Sequence, residues 1–164
     1  MSVIKVRVAP VERREEFLSA LAIRRKVFQE EQGVDPALDL DGKDGEAQHF
    51  LSYCNNMAGG TARVRYFTDN HLALARIERV AVLPEFRRHG VGKVTAEYIL
   101  NFLKLNWVDK ADLIAQERVK GFYEKIGFRP IGRPFEKAGI LHIAMEIYMK
   151  DFFPASSLKF EPAE

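Results

Sequence analysis

At 164 residues, 47% of them hydrophobic, the chain is long enough to bury the core of one ordinary domain, and a second domain is not expected. With 25 Lys and Arg against 23 Asp and Glu, the formal net charge is +2, so bulk charge does not point to nucleic acid or to an anionic membrane. No apolar stretch approaches the ~20 residues of a spanning helix, no secretion-signal core is visible, and the single cysteine, Cys54, cannot form an internal disulfide; these features predict a soluble protein of a reducing compartment, cytoplasm or nucleus.

Residues 3–8 alternate Ile4, Val6 and Val8 with Lys5 and Arg7, the pattern of a half-buried strand, and Pro10 ends it. Over residues 12–32 an apolar stripe of Phe17, Leu21 and Phe28, with Leu18 and Val27 beside it, predicts a helix that Gly33 stops. Residues 33–46 read as a loop carrying Asp35, Asp39, Asp41, Asp44 and Glu46. A calcium loop started at Asp39 would put Lys43 at its fifth position and Phe50 where a bidentate Glu belongs, so no metal is expected. The residues favour a solvated acidic loop; the sharper alternative is a surface that attracts a cationic amine.

Residues 49–54 and 61–67 are strand-like and are joined by Asn55, Asn56, Gly59 and Gly60, which predicts a hairpin. Residues 68–70 make the next turn. A β-branched run over residues 77–83 ends at Pro84, a basic glycine-containing turn follows, and apolar residues then resume at helical spacing, with Val91, Val94, Tyr98, Phe102 and Leu105 as the expected buried face. A short strand over 113–116 and a short helix within 119–128, stopped by Gly127, come next. Residues 151–164 are expected to extend from the single domain over its surface, and two phenylalanines, Phe152 and Phe153, stand at its start.

The junction of the central strand and helix is where chemistry is expected. The first turn of a helix presents N–H groups with no partner inside the helix at the positive end of its dipole, and an anion fits there. Arg87, Arg88, His89 and Lys93 surround this turn, and Gly90 and Gly92 admit a ligand close to the backbone. A dinucleotide-binding fingerprint would need a glycine at Thr95, and a Walker loop would need one at Arg87, so both fail. No spaced aromatic set accompanies these cations, so a compact pyrophosphate is favoured over nucleic acid.

What does match is Arg87-x-x-Gly90-x-Gly92, which resembles the acyl-CoA loop of the GCN5-related N-acetyltransferase (GNAT) family. The later stretch Phe122-Tyr123-Glu124-Lys125-Ile126-Gly127-Phe128 is similar to a segment that family members carry after the following strand. Arg25-Lys26-Val27-Phe28-Gln29-Glu30-Glu31-Gln32 and the stretch from Phe135 to Met145 resemble the ElaA-like branch. The resemblance implies an α/β (α+β) domain with a mixed, mostly antiparallel sheet, splayed at the acetyl-CoA site and carrying helices on both faces. It implies an acetyl-CoA-dependent N-acetyltransferase acting directly on a primary amine, with a small molecule as the expected acceptor. A protein or peptide N-acetyltransferase and a catalytically silent CoA-binding module are the alternatives.

By the same resemblance Val80, Ala81 and Val82 offer strand backbone to the pantetheine arm, residues 87–93, Val91 among them, wrap the pyrophosphate, and Gln116 stands where relatives place a pantetheine-contacting Asn. Val82 is the expected oxyanion donor, although a bulge would change which N–H points inward. Tyr123 is the candidate general acid, because a neutral phenol can donate to a leaving thiolate. Glu78 shares a strand face with Val80 and Val82 and is the candidate base, with pairing to Arg63, Arg65, Arg76 or Arg79 as its structural alternative. His49 and His142 are further candidate bases and, with Phe28, Glu31 and Gln32, are the expected acceptor-side residues. Cys54 has no evident paired base, which argues against an acyl-cysteine route. The expected partners are acetyl-CoA and the amine, with neither nucleic acid nor membrane, and an exposed edge strand near the C-terminus is compatible with a homodimer.

Overall fold

The alternating N-terminal residues form β1 (Val6–Pro10), the first strand of a computed structural model that describes residues 3–154. Seven strands follow the spatial order β1-β2-β3-β4-β5-β7-β6, where β2 is Gln48–Cys54, β3 Met57–Asp69, β4 Leu72–Val82, β5 Lys110–Gln116, β6 Arg129–Lys137 and β7 Ile140–Tyr148. β4 and β5 pair in parallel from Leu74↔Lys110 to Arg76↔Asp112, while β1–β2, β2–β3, β5–β7 and β6–β7 are antiparallel, so the sheet is mixed and mostly antiparallel, as expected. The described residues pack as two compact units, one of 3–65 with Ile77–Thr95 and one of Tyr66–Arg76 with 96–154.

In the first unit the predicted helix is two pieces. α1 (Arg14–Arg24) gives way to a π-helical segment, Arg25–Glu31, in which the Gln32 N–H reaches back five residues to Val27 O at 3.1 Å. The buried face runs along Ala20, Ile23, Arg24 and Val27 at ordinary helical spacing, the residues of the expected stripe, Phe17, Leu21 and Phe28, are half-buried beside it, and Leu18 is 51% exposed. Gly33 stops the helix in the left-handed region at φ +68°, as read from the sequence. One core cluster joins Ala20, Ile23 and Val27 to Leu51, Ala81 and Leu83, with Phe28 and Phe86 packed against it.

The β2–β3 hairpin turns on Asn55 and Asn56, both with positive φ, and pairs Cys54 with Met57. This is the two-residue turn that suits the twist of paired strands. Gly59 and Gly60, assigned to the loop from sequence, lie within β3 instead. Gly59 is needed there for space: a Cβ at that position would stand 2.6 Å from the Phe86 ring and 2.8 Å from Cys54 Sγ.

In the second unit α3 (Val91–Leu105), whose first residues belong to the first unit, leads to β5, α4 (Lys120–Ile126) and the β6–β7 hairpin. Its fully buried positions are Val91, Thr95, Ile99, Leu100 and Leu103, a face rotated from the predicted one, and Leu105 is exposed. Gly127 ends α4 at φ +124°, as predicted. β6, at the sheet edge, is exposed along its whole length and carries Pro130 and Pro134 around a register shift between Ile131 and Phe135. Proline lacks the N–H that a further strand would need, so this edge is poorly suited to the strand pairing that a homodimer through it would use. Phe152 is buried and Phe153 exposed, and residues 155–164 of the expected extension lie outside the described residues. No helix among the described residues is long and apolar enough to cross a membrane.

Candidate active site

The loop between β4 and α3, in the first unit, is built by a short chain of local decisions. Pro84 stops β4, Pro84–Phe86 forms one tight turn, Arg88 and Gly90 adopt positive φ of +65° and +77°, and α3 begins at Val91. Arg88, His89 and Gly90 are exposed. A Cβ at Gly90 would meet nothing within 4 Å, so the backbone there faces open space. The exposed basic turn, the first turn of a 15-residue helix and this open approach fit a pyrophosphate group.

Arg87 is differently placed from the expectation. Its Nε donates to Val82 O at 2.9 Å, and its two terminal nitrogens donate to Glu31 at 2.6 and 2.8 Å in a bidentate pair. The pair holds the Glu31 carboxyl below its ordinary value, the hydrogen bond being the main cause. Glu31, an expected acceptor-side residue, is therefore the partner of the loop arginine. Gln32 is exposed and caps the π-helical segment through its backbone, and Phe28 is half-buried against the core.

Around β4 lies a charged network, of which the residue pattern indicated only the pairing of Glu78 with arginines. Arg24 and Arg63 are 1% and 0% exposed. Arg24 donates to Asp39 and Asp44, Arg63 to Asp41, Asp44 and Glu78, and Arg65 to both oxygens of Glu78. Arg79 reaches Leu38 O at 2.8 Å and lies 3.3 Å from carboxylate oxygens of Asp39 and Asp41. Four guanidinium groups thus face Asp39, Asp41, Asp44 and Glu78. The loop read as solvated acid is an internal counter-ion: Asp39 is 2% exposed, and hydrogen bonds from Arg63 hold Asp41 well below the usual carboxylate range. Among the described residues no His, Cys, Asp or Glu group is arranged to hold a metal.

Glu78 takes its structural alternative, pairing with Arg63 and Arg65. Burial raises its pKa, but the bonds from these two arginines outweigh that and hold it at about 2. A carboxylate so stabilised has little affinity for a proton from an amine. Its neighbour Arg79 adopts φ +54° inside the strand, a conformation that costs a non-glycine residue energy and collects at functional sites. The period-two alternation that placed Glu78 with Val80 and Val82 is interrupted at this residue.

His49 is 6% exposed, lies 4.9 Å from the Phe17 ring in an edge contact, and has Nε2 3.0 Å from Asp44 O. Its Nδ1 is buried without a hydrogen-bond partner. Burial pushes its pKa down, so it is an interior imidazole and not an acceptor-facing one.

In the second unit Tyr123 lies between the rings of Phe122 and Phe128, with edge contacts at 5.0 and 5.7 Å, and burial pushes its phenol up to about 12. Gln116 closes β5; its Oε1 accepts from Arg118 Nε at 2.8 Å, which leaves the amide donors for a ligand. His142 stands opposite Gln116 in the β5–β7 register and opposite Phe135 in the β6–β7 register. The signal that joins these three is the pairing register, which residue types alone do not specify.

The sequence profile of the acetyltransferase (GNAT) domain matches residues 9–149. A Bacillus subtilis protein named as an acetyltransferase is 35% identical over 130 residues, 77% of this chain and 86% of that one. Protein ElaA of Escherichia coli is 32% identical over 133 residues, 79% of this chain and 86% of that one, and its crystal structure superposes with a TM-score of 0.74 over 88% of this chain and 99% of that one. A Pseudomonas aeruginosa acyl-CoA N-acyltransferase shares the fold at 24% identity, with a TM-score of 0.72 over 87% of this chain and 98% of that one. The profile spans the anion loop, the Tyr123 segment and the strands that carry Glu78, Gln116 and His142, and on this ground the chain belongs to the GNAT family and is an acyltransferase.

Proposed function

We propose that this enzyme transfers the acetyl group of acetyl-CoA directly to a primary amine of a small molecule. The observation that carries this reading is the loop between β4 and α3, where Arg87-x-x-Gly90-x-Gly92 combines an exposed basic turn, a left-handed Gly90 open to approach and the amino end of a long helix. Acetyl-CoA supplies an activated thioester when bound. The backbone of Val80, Ala81 and Val82 lines its pantetheine arm, and Arg88, His89, Gly90, Val91, Gly92 and Lys93 hold its pyrophosphate. Arg87 fixes the loop to β4 through Val82 O and contributes its charge. Gln116 meets the pantetheine through its amide.

The oxyanion donor lies in the 80–82 backbone, past the left-handed Arg79. Tyr123 donates its proton to the departing sulfur; a phenol held at about 12 stays protonated at neutral pH and is a stronger acid than the water that would otherwise serve. Glu78 acts through its hold on Arg63 and Arg65 and not as the proton acceptor.

The test is a thermal-unfolding titration with acetyl-CoA beside a pantetheine fragment that lacks the nucleotide and pyrophosphate. A ligand at a hundredfold excess over Kd adds about 2.7 kcal/mol to the folded state, which raises Tm by several degrees in a domain of this size. Stabilisation by acetyl-CoA and not by the fragment is expected, and no shift with either overturns the reading. Thiol release with free amines then separates a small-molecule enzyme from one that acetylates only peptides and from a module that binds without turnover.

A further inference from the structure

We infer that His142 is the general base, taking the acceptor's proton at Nε2. The inference rests on the reading above, in which Gln116 lies along the pantetheine arm. His142 and Gln116 are direct cross-strand partners in the antiparallel β5–β7 ladder, so their side chains share a face at roughly 5 Å between Cβ atoms. A group that close to the arm's contact residue is within reach of an amine approaching the acyl carbon.

The protonation pattern follows from one contact. His142 Nδ1 lies 2.8 Å from Ile140 O, and a carbonyl only accepts. Nδ1 therefore carries the hydrogen, and in the neutral ring the lone pair is on Nε2. The ring is half-buried and stacked on Phe135, with centroids 6.1 Å apart and planes at 25°, so its orientation is fixed from two sides. His49 has the opposite arrangement: its Nε2 is committed to Asp44 O and its Nδ1 is sealed inside. Glu78 is committed to two arginines. Of these three candidates, only His142 presents an uncommitted lone pair outside the core.

His142 Nε2 takes one proton from the acceptor's ammonium group, the freed nitrogen pair forms the C–N bond to the acyl carbon, and the C–S bond breaks with the sulfur taking the Tyr123 hydroxyl proton. The second nitrogen-bound proton restores the Tyr123 phenol, and His142 returns its proton to solvent, so one proton is released per turnover. The charged and titratable groups on the elements beside His142 are Glu117 and Arg118, the latter tied to Gln116, Arg133, Glu136 and Lys137 of β6, and, further along the strands, Asp112 and Glu146, with Glu146 paired to Lys110 and Arg129.

Three measurements on the full chain decide it. Long-range ¹H–¹⁵N spectra of the imidazole should show the Nδ1–H tautomer at His142 in the free enzyme; the Nε2–H tautomer overturns the proposal. Carbethoxylation of His142 by diethyl pyrocarbonate, followed by peptide mass spectrometry, should slow about tenfold or more with acetyl-CoA and be unchanged by 3′-phosphoadenosine diphosphate, which lacks the pantetheine. Acetyl-CoA binding that leaves His142 equally reactive overturns the proposal, whereas no acetyl-CoA binding at all overturns the functional reading instead. Finally, with acetyl-CoA and phenethylamine as the probe amine, His142→Gln should lower kcat by about 10²-fold and abolish the acidic limb of the wild-type pH profile, with acetyl-CoA affinity within twofold. An unchanged rate and profile in that variant overturns the assignment.

Discussion

Replacing Glu78 by Gln removes one carboxylate from the network behind β4 and leaves Arg63, which is fully buried, with Asp41 and Asp44 alone. The Glu78 side chain is 17% exposed, so solvent screens it only slightly. Its pKa moves from 4.5 to about 2, and that gap corresponds to roughly 3 kcal/mol of stability at neutral pH. A depressed carboxylate contributes fully above its unfolded value of 4.5, and the contribution fades as pH falls through about 2. At pH 3 roughly half of it remains. The variant should therefore be less stable by about 3 kcal/mol in urea unfolding at pH 7, a Tm loss of roughly 6–12 °C, and by roughly half as much at pH 3. A deficit that stays constant between these pH values, or that is absent at pH 7, would refute the claim that the two arginines hold this group as an anion.

Tyr123→Phe keeps the packing and removes the hydroxyl proposed as the acid, so turnover should fall by about 10²- to 10⁴-fold while acetyl-CoA affinity, measured by calorimetry, changes less than twofold; a large loss of binding would remove Tyr123 from the chemistry. Glu31→Gln releases the guanidinium of Arg87 from its bidentate partner, and acetyl-CoA should bind about two- to fivefold more tightly at low salt, with no gain if Arg87 makes no contribution to the loop's charge. Gly90→Asp adds strain at φ +77° and a negative charge at the loop, and should abolish the Tm shift given by acetyl-CoA without affecting unliganded Tm by more than a few degrees. Gly59→Ala forces a Cβ to within 2.6 Å of the Phe86 ring and 2.8 Å of Cys54 Sγ, and scanning calorimetry should show a loss of about 2 kcal/mol, or roughly 4–8 °C in Tm.

The features legible in the sequence are those set by neighbours along the chain. Gly33, Gly127 and the Asn55–Asn56 turn need only the local backbone, and each sits where the residue types put it. The strand–turn–helix shape of residues 77–105 is legible because the proline and glycines that end the strand and open the helix are contiguous. The misreadings have other causes. The stripe from Phe17 to Phe28 is half-buried beside the true inner face, which holds a small residue, Ala20, and an arginine, Arg24, that a search for large apolar side chains passes over. The acidic loop looks solvated because its counter-ions, Arg24, Arg63 and Arg79, are 15 to 41 positions away in the contacts they make. The interrupted alternation of β4 arises at Arg79, whose left-handed backbone has no glycine to advertise it. His142 joins Gln116 and Phe135 only through strand register, which residue types do not spell out.

The four arginines and four carboxylates behind β4 also set the terms on which the chain can vary over time. A lineage that lost Asp41 alone would strand part of the buried charge of Arg63, and one that lost Arg24 alone would leave Asp39 facing the interior with one of its two guanidinium partners gone. Such positions are inherited as couples: a neutral residue at one is tolerated once its counterpart has been neutralised as well. Swapping the 35–46 loop between relatives therefore transplants half of a charge ledger, and a graft that carries the loop without its matching arginines from α1, β3 and β4 should misfold, while one that carries both should take.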